Sequence, residues 1–134
     1  MKKLSTILLG LCFVLLAACS ANTPSDVAEK AMGHLADGEA DKFVDMVYIE
    51  PDTPDEGKAM IKNYLTGFLN FTLHVAEQAH GGYDKIRAVS EKVDEKAGTA
   101  TVEMKVTYED NTTENKTINL RKDKNGMWKV VFSK

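Results

Sequence analysis

The first half of the chain places apolar residues three and four positions apart, the spacing of amphipathic helices. This spacing predicts three helices, at about residues 25–38, 40–48 and 53–79. Ser25 is the expected N-cap of the first helix, and Thr53 or Asp55 that of the third. The third helix carries the longest predicted apolar stripe, which consists of Met60, Ile61, Tyr64, Leu65, Phe68, Leu69, Thr72, Val75, Ala76 and Ala79.

From residue 83 onward the pattern changes to the two-residue alternation of half-buried strands. It predicts four strands, at about residues 83–94, 100–108, 113–121 and 127–133. The first strand alternates poorly, which predicts a bulge or a strong bend there. The expected inward-facing strand positions are Ala100, Val102, Met104, Val106, Tyr108, Ile118, Leu120, Trp128, Val130 and Phe132.

This order of elements predicts an α+β fold. Short turns such as Asn125-Gly126 join the strands, so neighbouring strands are expected to run antiparallel as a meander. A meander with one apolar face needs a cover, and the helices are the only elements available for it. We therefore expect three N-terminal helices packed on a curved four-stranded antiparallel sheet, within one domain of the 134-residue chain.

The N-terminus has the layout of a secretion signal. Lys2 and Lys3 precede an apolar run from Leu4 to Leu16, which is too short for a stable membrane span. The run ends in Leu16-Ala17-Ala18-Cys19, which resembles the lipobox of bacterial lipoproteins. A plain secretory signal followed by a chance cysteine is the alternative.

The lipobox resemblance implies that cleavage follows Ala18 and that diacylglycerol is attached to the Cys19 thiol. Residues 1–18 are then the signal peptide, residues 19–24 a lipidated tether, and residues 25–134 the folded domain. The expected location is the cell envelope, with the chain held in the membrane by its lipid. Ser20 follows the lipidated cysteine, where an Asp would favour the inner membrane, so the outer membrane facing the periplasm is favoured.

Composition narrows the chemistry of the mature domain. Loss of Cys12 with the signal and lipidation of Cys19 leave no thiol for a disulfide, a metal site or a nucleophile. Removal of Lys2 and Lys3 takes the 17 basic residues to 15 against 20 acidic ones, so the formal charge changes from −3 to −5. An acidic domain without a basic cluster argues against nucleic acid as a partner.

Three segments resemble the nuclear transport factor 2-like and ketosteroid-isomerase-like proteins, and in particular small lipoproteins with lumazine-binding-like domains of unknown function. These segments are residues 23–28, 36–43 and 125–130. The resemblance implies a cone-shaped, cystatin-like fold with a pocket between the curved sheet and the third helix. It also implies a homodimer through the sheet, since relatives dimerise through its open face.

Large apolar side chains are the candidates for lining such a pocket. Aromatic residues at helical and strand spacing more often belong to a core, and this alternative stays open. The candidate ligand-pocket residues are Tyr48, Tyr64, Phe68, Met104 and Trp128, and Phe71 is a further aromatic candidate.

Catalytic groups are missing from the positions where the resemblance places them. Tyr108 is the only inward-facing strand residue with a titratable proton, and a phenol is a poor general base near neutral pH. The three histidines, His34, His74 and His80, do not form a metal-binding spacing, and His80 is expected to cap a helix end. No metal or cofactor is expected, although the loop acids Glu50, Asp52, Asp55 and Glu56 could either cap a helix or bind a divalent cation.

The sequence therefore favours a non-catalytic, lipid-anchored domain that binds an envelope protein or a small ligand. A second hypothesis is a small hydrolase or isomerase that uses Tyr64, Asp45 or His74 for proton transfer. A third is a structural or immunity-type role, in which the surface binds an envelope component or a toxin.

Overall fold

The structure is a computed structural model that describes residues 22–132. The predicted signal peptide and residues 19–21, which are the first half of the predicted tether and include Cys19, lie outside these residues. The helices are α1 (Pro24–Ala36), α2 (Ala40–Val44) and α3 (Asp55–His80). The strands are β1 (Tyr83–Asp94), β2 (Thr99–Tyr108), β3 (Thr113–Lys122) and β4 (Trp128–Val131). The predicted α+β fold of three helices and four strands is confirmed.

The four strands form one antiparallel sheet in the order β1-β2-β3-β4. The register pairs Met104 with Lys116 and Val106 with Glu114, so these four side chains share the inner face. β1 carries two irregularities, and the predicted bulge is confirmed. At the second irregularity the Ala88 N–H donates to the carboxylate of Glu29 in α1, at 2.9 Å. The bulge is thereby tied to the helix that covers it.

The core lies between α1 and the inner face of the sheet. Val102, Met104 and Val106 of β2 are completely buried, as the alternation predicts. The buried residues of α1 are Val27, Ala28, Ala31, Met32 and Leu35. Small alanines on this helix let its backbone approach the sheet closely, and α1 therefore covers most of the inner face.

Two helix starts differ from the prediction. The N-cap of α1 is Thr23, whose hydroxyl accepts a hydrogen bond from the Asp26 N–H at 3.2 Å. The predicted cap Ser25 instead donates its N–H and its hydroxyl to Glu91 of β1, at 2.9 and 2.7 Å. α3 starts after Pro54 without a side-chain cap, so Thr53 and Asp55 were wrong as caps. Glu91, which is distant in sequence, competes for the Ser25 side chain. Local sequence rules for helix caps do not include such a tertiary partner.

α2 is shorter than predicted because the following residues pair with the sheet. Val47 forms a parallel bridge with Val130 of β4. The Tyr48 N–H donates to the Val130 carbonyl at 2.7 Å, and the Val130 N–H donates to the Met46 carbonyl at 2.8 Å. These bonds use backbone groups that a longer helix would need for itself, so α2 ends at Val44.

α3 buries much less of its apolar stripe than the pattern predicts. Of the ten predicted stripe residues, only Leu65, Leu69 and Ala76 are buried. α1 already occupies the middle of the inner sheet face, so α3 lies at its margin and packs through a narrow strip. None of the described helices is both long and apolar enough to cross a membrane.

Candidate functional site

Exposed apolar side chains line one side of α3. At 100° per residue they fall within an arc of about 100°, and they extend over about 22 Å of helix. Tyr64 has 71% of its surface exposed and Phe71 has 64%. A hydrophobic surface of this length is unusual for a water-facing helix. We call this set the α3 apolar face, and it consists of Met60, Ile61, Tyr64, Phe68, Phe71 and Val75.

The α3 apolar face turns toward the β3 and β4 side of the sheet. Phe68 packs edge-to-face against Phe132, which follows β4, with ring centroids 5.5 Å apart. On the opposite flank of α3, Leu73 shares a shallow depression with Tyr83 of β1 and Gly38. Phe68 thus links the α3 apolar face to the second half of the meander, whereas the opposite flank of α3 lies near β1.

Next to this face, β3 is open along part of its outer edge. β4 pairs with β3 only from Asn119 to Lys122. Within residues 22–132, no strand pairs with the outer edge of β3 from Thr113 to Ile118. An unpaired strand edge offers a row of backbone N–H and C=O groups to another chain. We call residues 113–118 of this edge the β3 free edge.

The inner face of β3 carries charge at Glu114 and Lys116. Lys116 and Glu114 form an ion pair with an N–O distance of 3.2 Å. Glu114 also accepts a hydrogen bond from the Tyr108 hydroxyl at 2.8 Å, and this bond holds the pKa of Glu114 below its usual range. Burial raises the pKa of Tyr108, and the neighbouring Glu114 raises it further. Tyr108 therefore stays protonated as a donor.

A second polar cluster lies at the C-terminal end of α3, around the β2–β3 turn. The His80 Nδ1 lies 2.8 Å from an Asp110 oxygen and 3.2 Å from the Thr112 hydroxyl. The Thr112 hydroxyl donates to the other Asp110 oxygen at 2.6 Å. The His80 ring stacks on Tyr108, with centroids 4.2 Å apart. The cluster closes a tight turn in which Asn111 has a φ of 69°.

This second cluster has the residue types of a nucleophile relay but lacks its geometry. In a relay, the carboxylate and the nucleophile occupy different nitrogens of the histidine. Here Asp110 and Thr112 both lie at Nδ1 of His80, and the hydroxyl donates to the carboxylate. These bonds, first from Thr112 and then from His80, lower the pKa of Asp110 to about 2. The arrangement instead stabilises the β2–β3 turn, with His80 as a bridge from α3 to the turn. We call these three side chains, His80, Asp110 and Thr112, the Asp110 lock.

The five candidate pocket residues do not lie around one cavity. Tyr64 and Phe68 belong to the exposed α3 apolar face, whereas Met104 is fully buried in the core. Trp128 is buried under the Lys122 ammonium, which lies 5.2 Å from the ring centroid, and Tyr48 lies beside Arg121. α3 and the sheet thus bring only two of the five together. A ligand-binding role for any of them stays a prediction.

The residues of the enzyme hypothesis are also separate from one another. Tyr64 and His74 are both exposed on α3, and Asp45 is exposed with its carboxylate 3.6 Å from the Lys62 ammonium. His34 lies 3.2 Å from Glu39. In the described part of the chain, no group of three His, Cys, Asp or Glu residues could hold a metal ion.

Sequence reasoning missed the β3 free edge. The alternation predicts a last strand that reaches residue 133, whereas β4 ends at Val131 and pairs with four residues of β3. The predicted third and fourth strands differ in length, nine residues against seven, and this difference was the available signal for an unpaired segment. Strand length alone, however, does not set the register.

Comparisons with known proteins support the fold and leave the activity open. The family described as "Domain of unknown function (DUF4878)" matches residues 17–131. A solved structure from Campylobacter jejuni, described as an NTF2-like transpeptidase, superposes with a TM-score of 0.67 and 16% sequence identity. The alignment covers 81% of this chain and 96% of that one. No curated protein matches the chain.

Proposed function

We propose that this chain, which belongs to the DUF4878 family of domains of unknown function and has an NTF2-like fold, is a membrane-anchored bacterial lipoprotein with a non-catalytic interaction domain. The lipid on Cys19 would hold the protein in the cell envelope, on the periplasmic side of the outer membrane. The folded domain would bind another polypeptide through the α3 apolar face.

The α3 apolar face is the observation that carries this proposal. Phe71 and Tyr64 have most of their surface in water, although Leu69 of the same helix is only 4% exposed. Contiguous exposed apolar patches with polar rims are typical of interaction sites. Asn63, Asn70 and His74 are exposed on α3 outside the apolar face and supply such a rim. A protein partner would remove the aromatic side chains from water.

A non-catalytic role is supported by the chemistry of the described residues. No Asp, Glu, His, Lys or Arg side chain among them is buried, and the raised pKa of the buried Tyr108 keeps it protonated rather than available as a general base. Acyl transfer also needs a nucleophile activated by a base, and the His80 cluster lacks that geometry. The description of the Campylobacter protein as a transpeptidase therefore finds no support among the residues from 22 to 132 of this chain.

The position of Asn22 determines which end of the folded domain the lipid anchor would hold near the membrane. The Asn22 side-chain oxygen accepts a hydrogen bond from the Trp128 N–H at 2.8 Å, which fixes Asn22 at the start of β4. Cys19 precedes Asn22 by three residues, a distance of at most about 11 Å along an extended chain. The β4 end of the domain would therefore lie close to the membrane surface.

Replacement of Cys19 tests the anchor. We expect Cys19→Ala to abolish incorporation of labelled fatty acid and to release the protein from washed membranes. Cys12→Ala, within the predicted signal, is the matched control and should leave both properties unchanged. A Cys19→Ala protein that still incorporates fatty acid would overturn the lipoprotein assignment.

A photo-crosslinking amino acid at position 71 tests the interaction domain. In cells that produce the full chain, we expect irradiation to yield one or a few defined crosslinked products. The same amino acid at Lys92, an exposed position on β1, is the control and should yield none of them. The absence of any product at positions 64, 68 and 71 would argue against a protein-binding role for the α3 apolar face.

A further inference from the structure

We infer that the partner of the α3 apolar face is a second copy of this chain, which adds its own β3 to the β3 free edge. The two four-stranded sheets would then form one continuous sheet of eight strands, with the two α3 helices side by side. This inference rests on the proposed function, since it names the occupant of the same binding surface.

The backbone of the β3 free edge presents its polar groups in the pattern that strand pairing needs. The Lys122 N–H donates to the Gly98 carbonyl and the Tyr108 N–H to the Thr112 carbonyl, so even-numbered residues of β3 bond to β2. The Asp123 N–H donates to the Met127 carbonyl, so odd-numbered residues bond toward β4. Beyond β4, the N–H and C=O groups of Thr113, Asn115 and Thr117 point outward from the sheet edge.

An antiparallel pairing of two β3 strands centred on Asn115 uses all of these groups. Asn115 lies opposite the partner's Asn115, and Thr113 lies opposite the partner's Thr117. Both are hydrogen-bonded pairs, because the odd-numbered residues carry the outward groups. A two-fold axis midway between the two copies of Asn115 makes the contact self-complementary, as a closed dimer requires.

Charge selects this register among the alternatives. With Asn115 at the centre, Glu114 lies opposite the partner's Lys116, and Lys116 lies opposite the partner's Glu114. Oppositely charged residues directly across two strands stabilise the pair. A shift of the centre to Thr117 would place the Lys116 ammonium opposite the partner's Ile118 and remove this complementarity. The intramolecular pair of Glu114 and Lys116 thereby becomes part of a four-charge network.

The same axis brings the two α3 apolar faces together. It runs perpendicular to the sheet, so both inner faces, and both α3 helices, lie on the same side. Ala76 packs with Val106, the strand neighbour of Glu114, which places this part of α3 near the level of the axis. Phe71 and Val75 lie within one or two turns of Ala76, on the same arc of α3 as Phe68, which packs against Phe132 after β4. They are therefore the residues that would meet their copies.

Other surfaces of the sheet suit a second copy less well. The outer face of β2 and β3 carries threonines and charges, among them Thr101, Glu103 and Lys105, with no apolar patch. The edge of β1 is interrupted by two irregularities, which disfavour pairing with another strand. The edge dimer therefore differs from the association through the open sheet face that the family resemblance implies.

Cysteine crosslinking of the full chain in cells tests the dimer. Asn115→Cys places two thiols opposite each other at the axis, and the lipidated protein has no other free thiol. Asn119→Cys is the matched control, since Asn119 is an asparagine on the same face of β3 that already pairs with Val131. We expect a disulfide-linked dimer on a non-reducing gel for Asn115→Cys and only monomer for Asn119→Cys. Equal amounts of dimer from both would overturn the inference.

Charge exchange in the Asn115→Cys background tests the register. Lys116→Glu places like charges opposite each other, so we expect the crosslinked fraction to fall on the order of tenfold. The double variant Glu114→Lys with Lys116→Glu restores opposite charges and should restore the crosslink. Its restoration also shows that the substituted strands still fold. A double variant that crosslinks no better than Lys116→Glu would refute the register.

The two proposals fail in different ways. A product at position 71 that contains another polypeptide, together with a monomeric Asn115→Cys protein, would leave the interaction domain standing and overturn the dimer. No product at position 71 and no disulfide at position 115 would overturn both. A crosslinked product at position 71 with twice the mass of the chain, formed together with the disulfide, would support both.

Discussion

At the scale of single residues, tertiary partners decide what the polar side chains do. His80 has the sequence position of a helix C-cap, yet the cap is Gly81 with a φ of 80°, and the His80 ring instead bridges to Asp110. The Thr112 hydroxyl completes this lock on the β2–β3 turn. A threonine two residues after an aspartate predicts a local turn, but only the fold brings a histidine from 30 residues away to the same carboxylate.

The Asp110 lock predicts a defined acid sensitivity. Its carboxyl has a pKa of about 2 in the folded protein, below the ordinary 3.8, so ionised Asp110 stabilises the folded state above about pH 4. That contribution is lost as the pH falls from about 4 through 2. Carbon-detected NMR titration should find a midpoint near 2, and Thr112→Val should raise it toward 3.8 because the largest cause of the shift is removed. Thr101→Val, whose hydroxyl lies elsewhere, should leave it unchanged.

At the scale of elements, α3 shows which features hydrophobic periodicity predicts and which it does not. The apolar spacing correctly predicts a long helix, which ends at His80 and is followed by Gly81 in the left-handed conformation. The spacing covers two adjacent arcs of the helix, and it does not distinguish the arc that packs from the arc that stays exposed. α1 makes that distinction, because it covers the inner sheet face and leaves α3 only the strip around Leu65, Leu69 and Ala76.

Truncation of one side chain from each arc should show which arc of α3 contributes to stability. Leu69→Ala removes a side chain that is 4% exposed and should lower the free energy of unfolding by about 2–5 kcal/mol. Met60→Ala removes one that is 68% exposed, and the change should stay within about 0.5 kcal/mol. Urea denaturation followed by far-ultraviolet circular dichroism measures both. Equal losses would mean that the α3 apolar face is covered in the isolated domain.

At the scale of the whole molecule, the start of the described chain and the β3 free edge lie at defined places. The hydrogen bond between Asn22 and the Trp128 N–H fixes Asn22 at the end of the sheet that carries the β3–β4 turn. The β2–β3 turn lies at the other end of the ten-residue strand β3. If Cys19 is lipidated, the membrane is near the first turn and distant from the second, and the β3 free edge stays accessible to a neighbour in the same membrane.

Fluorescence quenching by lipids should detect this orientation. A fluorophore at Asn125→Cys, in the β3–β4 turn, should be quenched by spin-labelled phospholipid in vesicles that carry the lipidated protein. The same fluorophore at Glu109→Cys, in the β2–β3 turn, should be quenched much less, because about 30 Å of strand separates the two turns. Stronger quenching at residue 109 than at residue 125 would contradict the tether geometry.

The helices, the strands, their order and the buried alternation of Val102, Met104 and Val106 were predictable from the amino-acid sequence, because local periodicity records which side of each element avoids water. The sequence also provided the Cys19 motif, which no contact within residues 22–132 tests. The fold was needed to establish that Ser25 bonds to Glu91, that most of the α3 stripe stays exposed, and that β3 has a free edge. Those outcomes depend on competition between elements distant in sequence for one sheet face, and no local pattern contains that competition.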